Sequence, residues 1–482
     1  MNGADAPTSP SRPSSLVSPQ TPKVRLTLVV LLTLVMAALV IAHVRGVNGP
    51  WYWKWDWRRL AWWSYAAMLP PLGVFALAQR LYLRGRLRTA LAMLFAATLT
   101  LQFAALAAQP GGGIGRLRLL VQSPRVTSYW MDASVLAAQP NLGVTGILAA
   151  YEEITPLLHV HGRFKPPGPL LYYTFWLRAT GGNLDASAWA GGIFIALLAA
   201  LSGPACYRFL NFYGRDRDAA FCGASFLSLC PALILFFPQF DQTYVPLACV
   251  ILTMWGKASR DLNFRAAVVC GALLALGLFF SYIFLTLGCF IVVWWLLLLA
   301  DRGTDHFWRA ALNGFISMVT VVALYGLLWA ATGFNPIATW SSIAREQAND
   351  LVRLARPFPA HMLFDVLDFA LASGWISFAL VAFFLVRNGR RLLVDRSPRC
   401  RLALVALIHM AAVAFTALLP GEAARLWMIM LPMLMAPIGI ELSAWPMRGR
   451  MVVYVCLWLM VAVIGQNMLF LNLGPDVDLV MR

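Results

Sequence analysis

The sequence predicts an all-α polytopic membrane protein, and two observations carry this prediction. First, 60% of the 482 residues are hydrophobic and only 12% are charged, a composition far from that of a soluble domain. Second, the charges lie in clusters that separate apolar stretches of about 20 residues. This is the length that a helix needs to cross about 30 Å of hydrocarbon while pairing its own backbone polar groups.

We expect about thirteen membrane-spanning helices by this length criterion. They lie at residues 26–44, 60–79, 89–108, 186–207, 219–238, 242–257, 265–281, 282–300, 309–331, 366–386, 402–419, 426–442 and 451–471. The uncharged run 266–300 would form a helix of about 52 Å, too long for one crossing, so it should fold back near Ser281. The run 219–256 is also too long, and Pro238 and Asp241 mark a break where the chain should surface.

The distribution of charge sets the expected orientation. The formal net charge is +17, and the arginines cluster in short loops between apolar runs, as the positive-inside rule requires of cytoplasmic loops. The N-terminus is therefore expected in the cytoplasm and the C-terminus outside, with long external loops at 109–185 and 335–365. The same pattern explains the positive charge without a nucleic-acid partner.

The apolar segments themselves offer little chemistry. The eight cysteines lie in or beside them without metal-ligand spacing, so neither disulfides nor a cysteine zinc site is expected. His409 is the one ionisable residue well inside a predicted span. An ion-coupled transporter usually needs more such groups, together with an internal repeat. We therefore expect the chemistry in the external loops.

The first long external loop contains an unusual stretch. Residues 161–173 read HGRFKPPGPLLYY, a basic cluster followed by three prolines. Only about a dozen residues separate these prolines from Gly181 and Gly182, which is too short for a crossing. We predict an amphipathic helix that lies on the outer leaflet and begins at a proline, where a missing N–H costs nothing.

The loop resembles the GT-C glycosyltransferases of family 39 or 83, the protein O-mannosyltransferase and aminoarabinose-transferase-like group. Two segments carry the resemblance, SPRVTSYWMDAS at 123–134 and AAYEEITPLLHVHGRFKPPGPLLYYTFWLR at 149–178. In that group an acidic catalytic residue of the first external loop precedes a KPPL or HPPG element that opens a juxtamembrane helix. Asp132 and the run from Lys165 to Gly168 occupy these places.

The resemblance extends over residues 89–440. Residues 213–255 are similar to a stretch in which a lone aspartate, here Asp241, lies at the membrane edge, either lining the substrate pocket or capping a helix. Glu422 and Arg425 match a Glu-x-x-Arg element that precedes a late span. Residues 1–22 are rich in Ser and Pro and are expected to form a disordered cytoplasmic tail. The implied organisation of the rest is two additional helices within 23–88, a GT-C-like core at 89–442, and a final helix with an external tail at 443–482.

The resemblance implies an enzyme of the bacterial inner membrane that transfers a hexose or pentose from a polyprenyl-phosphate-linked donor. The acceptor would be a hydroxyl of a glycan, a lipid or a protein on the extracytoplasmic face, and no cofactor is expected. His159 and His161 could suggest a metal site, but no third ligand lies at a convincing spacing, so no metal is expected either. A flippase or other transporter of lipid-linked glycans is the alternative, since it would bind similar anionic lipids.

Sugar transfer needs a carboxylate that accepts the proton of the acceptor hydroxyl. Asp132 is the candidate, with Tyr129 and Trp130 beside it as sugar-binding side chains. Glu152 and Glu153 are alternatives, because many relatives have an acidic pair where this chain has a single aspartate. Asp132 could instead cap a helix formed by the residues after it.

The reaction also needs cations that stabilise negative charge on the leaving phosphate. Arg163, Lys165 and His161 are the candidates, assisted by the N-terminal dipole of the helix that follows. The alternative is a juxtamembrane cluster that binds anionic headgroups. Arg425 is a further candidate phosphate ligand, positioned by Glu422 at the edge of the pocket, unless these two residues only pair with each other.

Overall fold

The computed structural model describes residues 21–42, 44, 66–108, 113–124, 128–139, 142–354, 359–416 and 423–467. Over these ranges the chain forms α-helices joined by short 3-10 segments and loops, and these residues include no strand. The predicted all-α class is therefore confirmed. The predicted tail lies outside the described residues, apart from its last two positions.

The first twelve helices are α1 (Thr21–Ile41), α2 (Leu69–Leu83), α3 (Leu87–Ala107), α4 (Arg116–Gln122), α5 (Tyr129–Ala137), α6 (Val144–Ala149), α7 (Tyr151–Ile154), α8 (Val160–Arg163), α9 (Gly168–Ala179), α10 (Leu184–Ala200), α11 (Ser202–Gly214) and α12 (Arg217–Ser228). The others are α13 (Pro231–Leu235), α14 (Tyr244–Arg260), α15 (Phe264–Phe280), α16 (Leu287–Thr332), α17 (Pro336–Leu354), α18 (Ala360–Ser373), α19 (Ile376–Val394), α20 (Pro398–Thr416), α21 (Ala423–Leu426), α22 (Leu431–Ser443) and α23 (Met447–Asn467).

The protein is a multi-pass membrane protein. Among the described residues, seven helical stretches are long and apolar enough to cross a membrane, or up to eight if one pair bent by 103° counts as a single span. The prediction of about thirteen crossings gives a larger number, because several predicted spans form shorter helices and because α16 contains two of them, 282–300 and 309–331, joined at Gly303. Residues 219–238 divide into two short helices at Cys230 and Pro231, and both α14 and α15 are only 17 residues long. Part of the predicted second crossing lies outside the described residues.

The predicted reversal near Ser281 appears in the structure, and α16 contains a second reversal. The preceding helix ends at Phe280, Ser281 is extended, and a 3-10 turn leads into α16. Within α16 the backbone breaks at Gly303, whose φ of 80° is open to glycine at little cost. The chain doubles back there, and this brings the ring of Trp295 onto that of Phe307, with the centroids 4.2 Å apart.

Helices α12 and α22 are in close contact. A Cβ at Gly439 would lie 2.3 Å from the Ala219 carbonyl oxygen, and one at Gly223 would lie 2.8 Å from the Met435 carbonyl oxygen. Residues this small let two helix backbones approach closely in a membrane. The resulting rod of α21, a 3-10 turn and α22 is almost entirely buried, and its first turn carries Arg425.

Candidate active site

Lys165 is placed by the proline-rich segment that precedes α9. That helix begins at Gly168 with Pro169 in its first turn, as predicted. A Cβ at Gly168 would lie 2.5 Å from the Phe279 carbonyl oxygen, so the glycine allows the loop to pack directly on the end of α15. This contact brings Lys165 next to Ser281, the residue at the reversal.

The Lys165 ammonium is buried in a polar pocket of its own. Its Nζ donates to Asp241 Oδ1 at 3.1 Å and to Ser281 Oγ at 3.1 Å. It also lies 5.3 Å from the centre of the Tyr244 ring, where the aromatic face favours a cation. The side chain is only 9% exposed. A buried cation is costly unless it is paired, and here Asp241 is the pairing group.

Asp241 lies between two cations. Its Oδ2 faces Arg425 Nε at 3.6 Å, while Oδ1 accepts from Lys165. Burial alone would raise the pKa of this carboxyl, but Lys165 and then Arg425 outweigh that effect and hold the pKa below its ordinary value, with a further contribution from His161. Asp241 therefore binds cations rather than capping a helix end, which was the alternative.

Asp132 forms a second pair with His159. Helix α5 begins at Tyr129, so Asp132 lies inside its first turn and is not the helix cap. Its Oδ1 is 2.6 Å from His159 Nδ1 and accepts the His159 backbone N–H at 3.2 Å. The other oxygen, Oδ2, is buried and has no hydrogen-bond partner among the described residues. A Cβ at Gly162 would lie 2.7 Å from it, so only glycine leaves room for the carboxyl.

A buried tyrosine connects the two pairs through the backbone. The Tyr151 hydroxyl donates to the Lys165 carbonyl oxygen at 2.8 Å, and Thr155 Oγ1 donates to the Tyr151 carbonyl oxygen at 2.6 Å. Burial raises the pKa of Tyr151, so the phenol stays protonated and can donate. The segment that carries His159 is thereby fixed relative to Lys165.

The predicted aromatic residues also lie at this site. Tyr129 and Trp130 are both buried, and Trp130 Nε1 donates to Ser187 Oγ at 3.1 Å, which ties α5 to α10. The ring of His161 lies 6.4 Å from that of Tyr129. His161 also contributes to the lowered pKa of Asp241, so it lies near that carboxyl as well.

Other predicted residues are placed differently. Arg163 Nε donates to the Leu158 carbonyl oxygen at 2.5 Å, so its guanidinium stabilises the loop in which Arg163 itself lies. Glu152 and Glu153 are exposed on α7, and Glu422 lies outside the described residues.

Several residues of the site were not identified as functional from the sequence. Ser281 and Tyr244 contact Lys165 although they are distant in sequence. Asp365 and Asp368 are buried on α18, a helix that packs against the turn carrying Arg425. Their spacing of three residues in an apolar helix was the one signal that could have indicated a buried acidic face.

No metal centre is apparent in the part of the chain that the structure describes, where no group of three or more His, Cys, Asp or Glu side chains could hold an ion. A cleft of about 620 Å³ lies elsewhere, between the residues that precede α12 and those that precede α20. It is lined by Arg215, Arg217 and Arg399 among others, and by none of the site residues.

Comparison with solved structures finds archaeal oligosaccharyltransferases of Archaeoglobus fulgidus. A complex with zinc and sulfate has a TM-score of 0.45 at 12% identity, covering 71% of this chain and 53% of that one. The apo form has a TM-score of 0.45 at 12% identity, covering 78% and 56%. AglB with an inhibitory peptide and a dolichol-phosphate has a TM-score of 0.42 at 11% identity, covering 78% and 56%.

The chain therefore spans about half the length of the structures it resembles. No family model matches it, and no curated protein sequence does. Similarity at this level does not identify the activity, which has to be inferred from the residues of this chain.

Proposed function

We propose that the protein is a membrane glycosyltransferase of the GT-C type. It would transfer a hexose or pentose from a polyprenyl-phosphate-linked donor to an acceptor hydroxyl on the extracytoplasmic face of a bacterial inner membrane. The observation that carries the proposal is that one segment, 151–165, holds both a buried cation and the partner of a buried acid: the Tyr151 hydroxyl donates to the Lys165 carbonyl oxygen, and His159 contacts Asp132. Sugar transfer from a phosphate needs these two opposite functions close together.

The phosphate end of the reaction is assigned to Lys165 and Arg425, with His161 nearby. Two cations here face one carboxylate, Asp241, so an anionic group can bind without meeting an excess of negative charge from this trio. The cations are largely dry, and charge stabilisation is stronger where water is excluded. Their role is to stabilise the negative charge of the polyprenyl phosphate as it leaves with the electron pair of the broken anomeric bond.

The acceptor end is assigned to Asp132 together with its partner His159. The proton of the acceptor hydroxyl must be removed as its oxygen attacks the anomeric carbon. Asp132 is buried and fixed by two hydrogen bonds to one of its oxygens, which suits a group that must keep one orientation. Tyr129 and Trp130 supply aromatic surface next to it.

Mass spectrometry of envelope lipids and glycans tests this proposal. Cells lacking the gene should accumulate a polyprenyl-phosphate sugar and lose one glycosylated product, and both changes should reverse with the wild-type gene. The variant Asp132→Asn should behave like the deletion, with a loss of transfer of at least about 100-fold. Asp305→Asn, which changes an exposed carboxylate distant from the site in the same way, should behave like the wild type.

Two results would contradict the proposal. Full product formation by Asp132→Asn would remove the carboxylate from the reaction. Movement of an intact lipid-linked sugar across vesicle membranes, with no transfer of the sugar, would instead indicate a flippase.

A further inference from the structure

The two oxygens of Asp132 are not equally available to a substrate. Oδ1 accepts from both the ring and the backbone of His159. Oδ2 is buried beneath Gly162, and a group the size of a methyl on that glycine would already lie 2.7 Å from it. An acceptor hydroxyl would therefore have to displace the loop to reach either oxygen.

His159, by contrast, is open to an incoming group. Its side chain is 48% exposed, against 4% for Asp132. An ionised carboxylate can only accept hydrogen bonds, so Nδ1 must carry the proton that lies between the two groups. A neutral ring with its proton on Nδ1 has a lone pair on Nε2, the other ring nitrogen. Asp132 thus fixes both the orientation and the tautomer of the imidazole.

We infer that Nε2 of His159 is the atom that takes the proton of the acceptor, and that Asp132 is a positioning residue acting through it. The inference rests on the proposed function and deepens it, because it identifies the group that touches the acceptor. A purely structural ion pair would have little reason to leave half of the imidazole in solvent while burying the carboxylate.

The step balances without a cofactor. The acceptor O–H proton passes to His159 Nε2 as the oxygen forms its bond to the anomeric carbon of the donor. The bond from that carbon to the phosphate oxygen breaks, and its electron pair leaves with the polyprenyl phosphate. The imidazolium is stabilised by the Asp132 carboxylate and then loses its proton to water, which its exposure allows.

The charged groups around His159 are compatible with this role. Asp132 faces it from α5, and α8, which His159 precedes, also carries His161 and Arg163. The 3-10 turn 155–157 that packs on α8 carries no ionisable side chain. Arg163 is directed to the Leu158 carbonyl oxygen, so the negative charge of Asp132 is the one held directly against the ring.

Two substitutions of His159 separate a base from a structural contact. In His159→Asn the side-chain amide can still donate to Asp132, in place of Nδ1, but it has no basic nitrogen. In His159→Ala both functions are lost, and the space left at an exposed position is open to free imidazole. The assay uses full-length protein in nanodiscs and the carrier lipid extracted from cells that lack the gene.

We expect both variants to lose at least about 100-fold in transfer rate, the usual contribution of a general base. Added imidazole should restore His159→Ala by about 10-fold or more and leave His159→Asn unchanged, since the amide fills the space. Asp132→Asn should be inactive with or without imidazole. The control His306→Asn, at a histidine whose ring contacts the Ser259 carbonyl oxygen, should match the wild type.

Activity of His159→Asn beside an inactive Asp132→Asn would overturn the inference and leave the proposed function standing, with Asp132 itself as the base. Failure of imidazole to restore His159→Ala would also overturn it. Activity in all three variants would remove the proposed function as well. Melting temperatures near that of the wild type show that each variant is folded.

Discussion

The buried rod formed by α21 and α22 has a charged cluster at each end, and in each cluster one carboxylate lies between two cations. At the C-terminal end the carboxylate is Glu441. Its Oε1 accepts from Arg25 at 2.8 Å and from Trp445 Nε1 at 2.8 Å, and Oε2 faces Arg387 at 3.4 Å. The two arginines come from α1 and α19, so this cluster joins three helices.

At the N-terminal end the carboxylate is Asp241, and its cations come from the loop before α9, which carries Lys165, and from the first turn of the rod, which carries Arg425. Lys165 and Arg425 are 9% and 6% exposed, whereas the arginines around Glu441 are 16% and 21% exposed. A buried cation has lost most of its hydration, so a bound anion lowers its electrostatic free energy more than it would for an exposed cation. The same arrangement of charges therefore serves helix packing at one end and is suited to binding an anionic group at the other.

The largest expected effect is the loss of activity in Lys165→Met. Methionine keeps much of the length and apolar contact of the side chain but removes the ammonium, so the leaving phosphate loses its nearest cation. We expect transfer to fall by about 100-fold or more. Stability should also fall, but by less than the about 3–5 kcal/mol that an unpaired buried charge costs, because Asp241 still faces Arg425. The double variant Lys165→Met with Asp241→Asn should recover none of the activity.

The measurements are transfer rate, apparent affinity for the carrier lipid and melting temperature in detergent. Arg265→Met removes an exposed positive charge from the start of α15 and serves as the control. An unchanged apparent affinity in Lys165→Met would indicate a headgroup-binding cluster and would end the contrast between the two carboxylates.

The second effect is on stability alone, in Glu441→Gln. Glutamine can still accept from Trp445 but leaves Arg25 and Arg387 without their counter-charge. We expect a loss of about 2 kcal/mol, less than for a fully buried pair because both arginines reach solvent. Transfer per folded molecule should stay within about twofold of the wild type. A loss of activity as large as that of Lys165→Met would show that this cluster also acts in the reaction.

Much of the helical framework could be predicted from the sequence, because apolar length and helix breakers act locally. The reversal at Ser281 follows from a run too long for one crossing, and α9 follows from the prolines that precede it. The places where individual helices break could not all be predicted in this way. Breaks such as the one at Pro231 shorten helices without changing their apolar composition.

The candidate site was only partly visible in the sequence. The motif and the resemblance indicated Asp132 and Lys165, but the pairing of Lys165 with Asp241 joins residues 76 positions apart. His159 is 27 positions from Asp132. Contacts over such separations depend on how helices pack, which no local pattern contains. Cations that are neighbours in the sequence can also contact different groups: Lys165 donates to Asp241, whereas Arg163 donates to the Leu158 carbonyl oxygen in its own loop.

The smallest expected effect is the dependence of stability on pH through Asp241. Burial would raise the pKa of this carboxyl, but Lys165 and Arg425 lower it further than burial raises it. The pKa in the folded protein therefore lies below that of the unfolded chain, which is about 4. The stabilisation is complete above pH of about 4 and is lost as the pH falls through the folded value.

Asp241→Asn should remove this titration. We expect its melting temperature at neutral pH to lie below that of the wild type, and the gap to narrow as the pH falls below about 4, where the wild-type carboxyl takes up its proton. Melting curves in detergent at a series of pH values measure the gap. Asp305→Asn, at an exposed carboxyl, should follow the wild-type curve throughout. A constant gap for Asp241→Asn would mean that the ionised carboxylate is not what holds Lys165 and Arg425 together, and the contrast with Glu441 would then rest on packing rather than on charge.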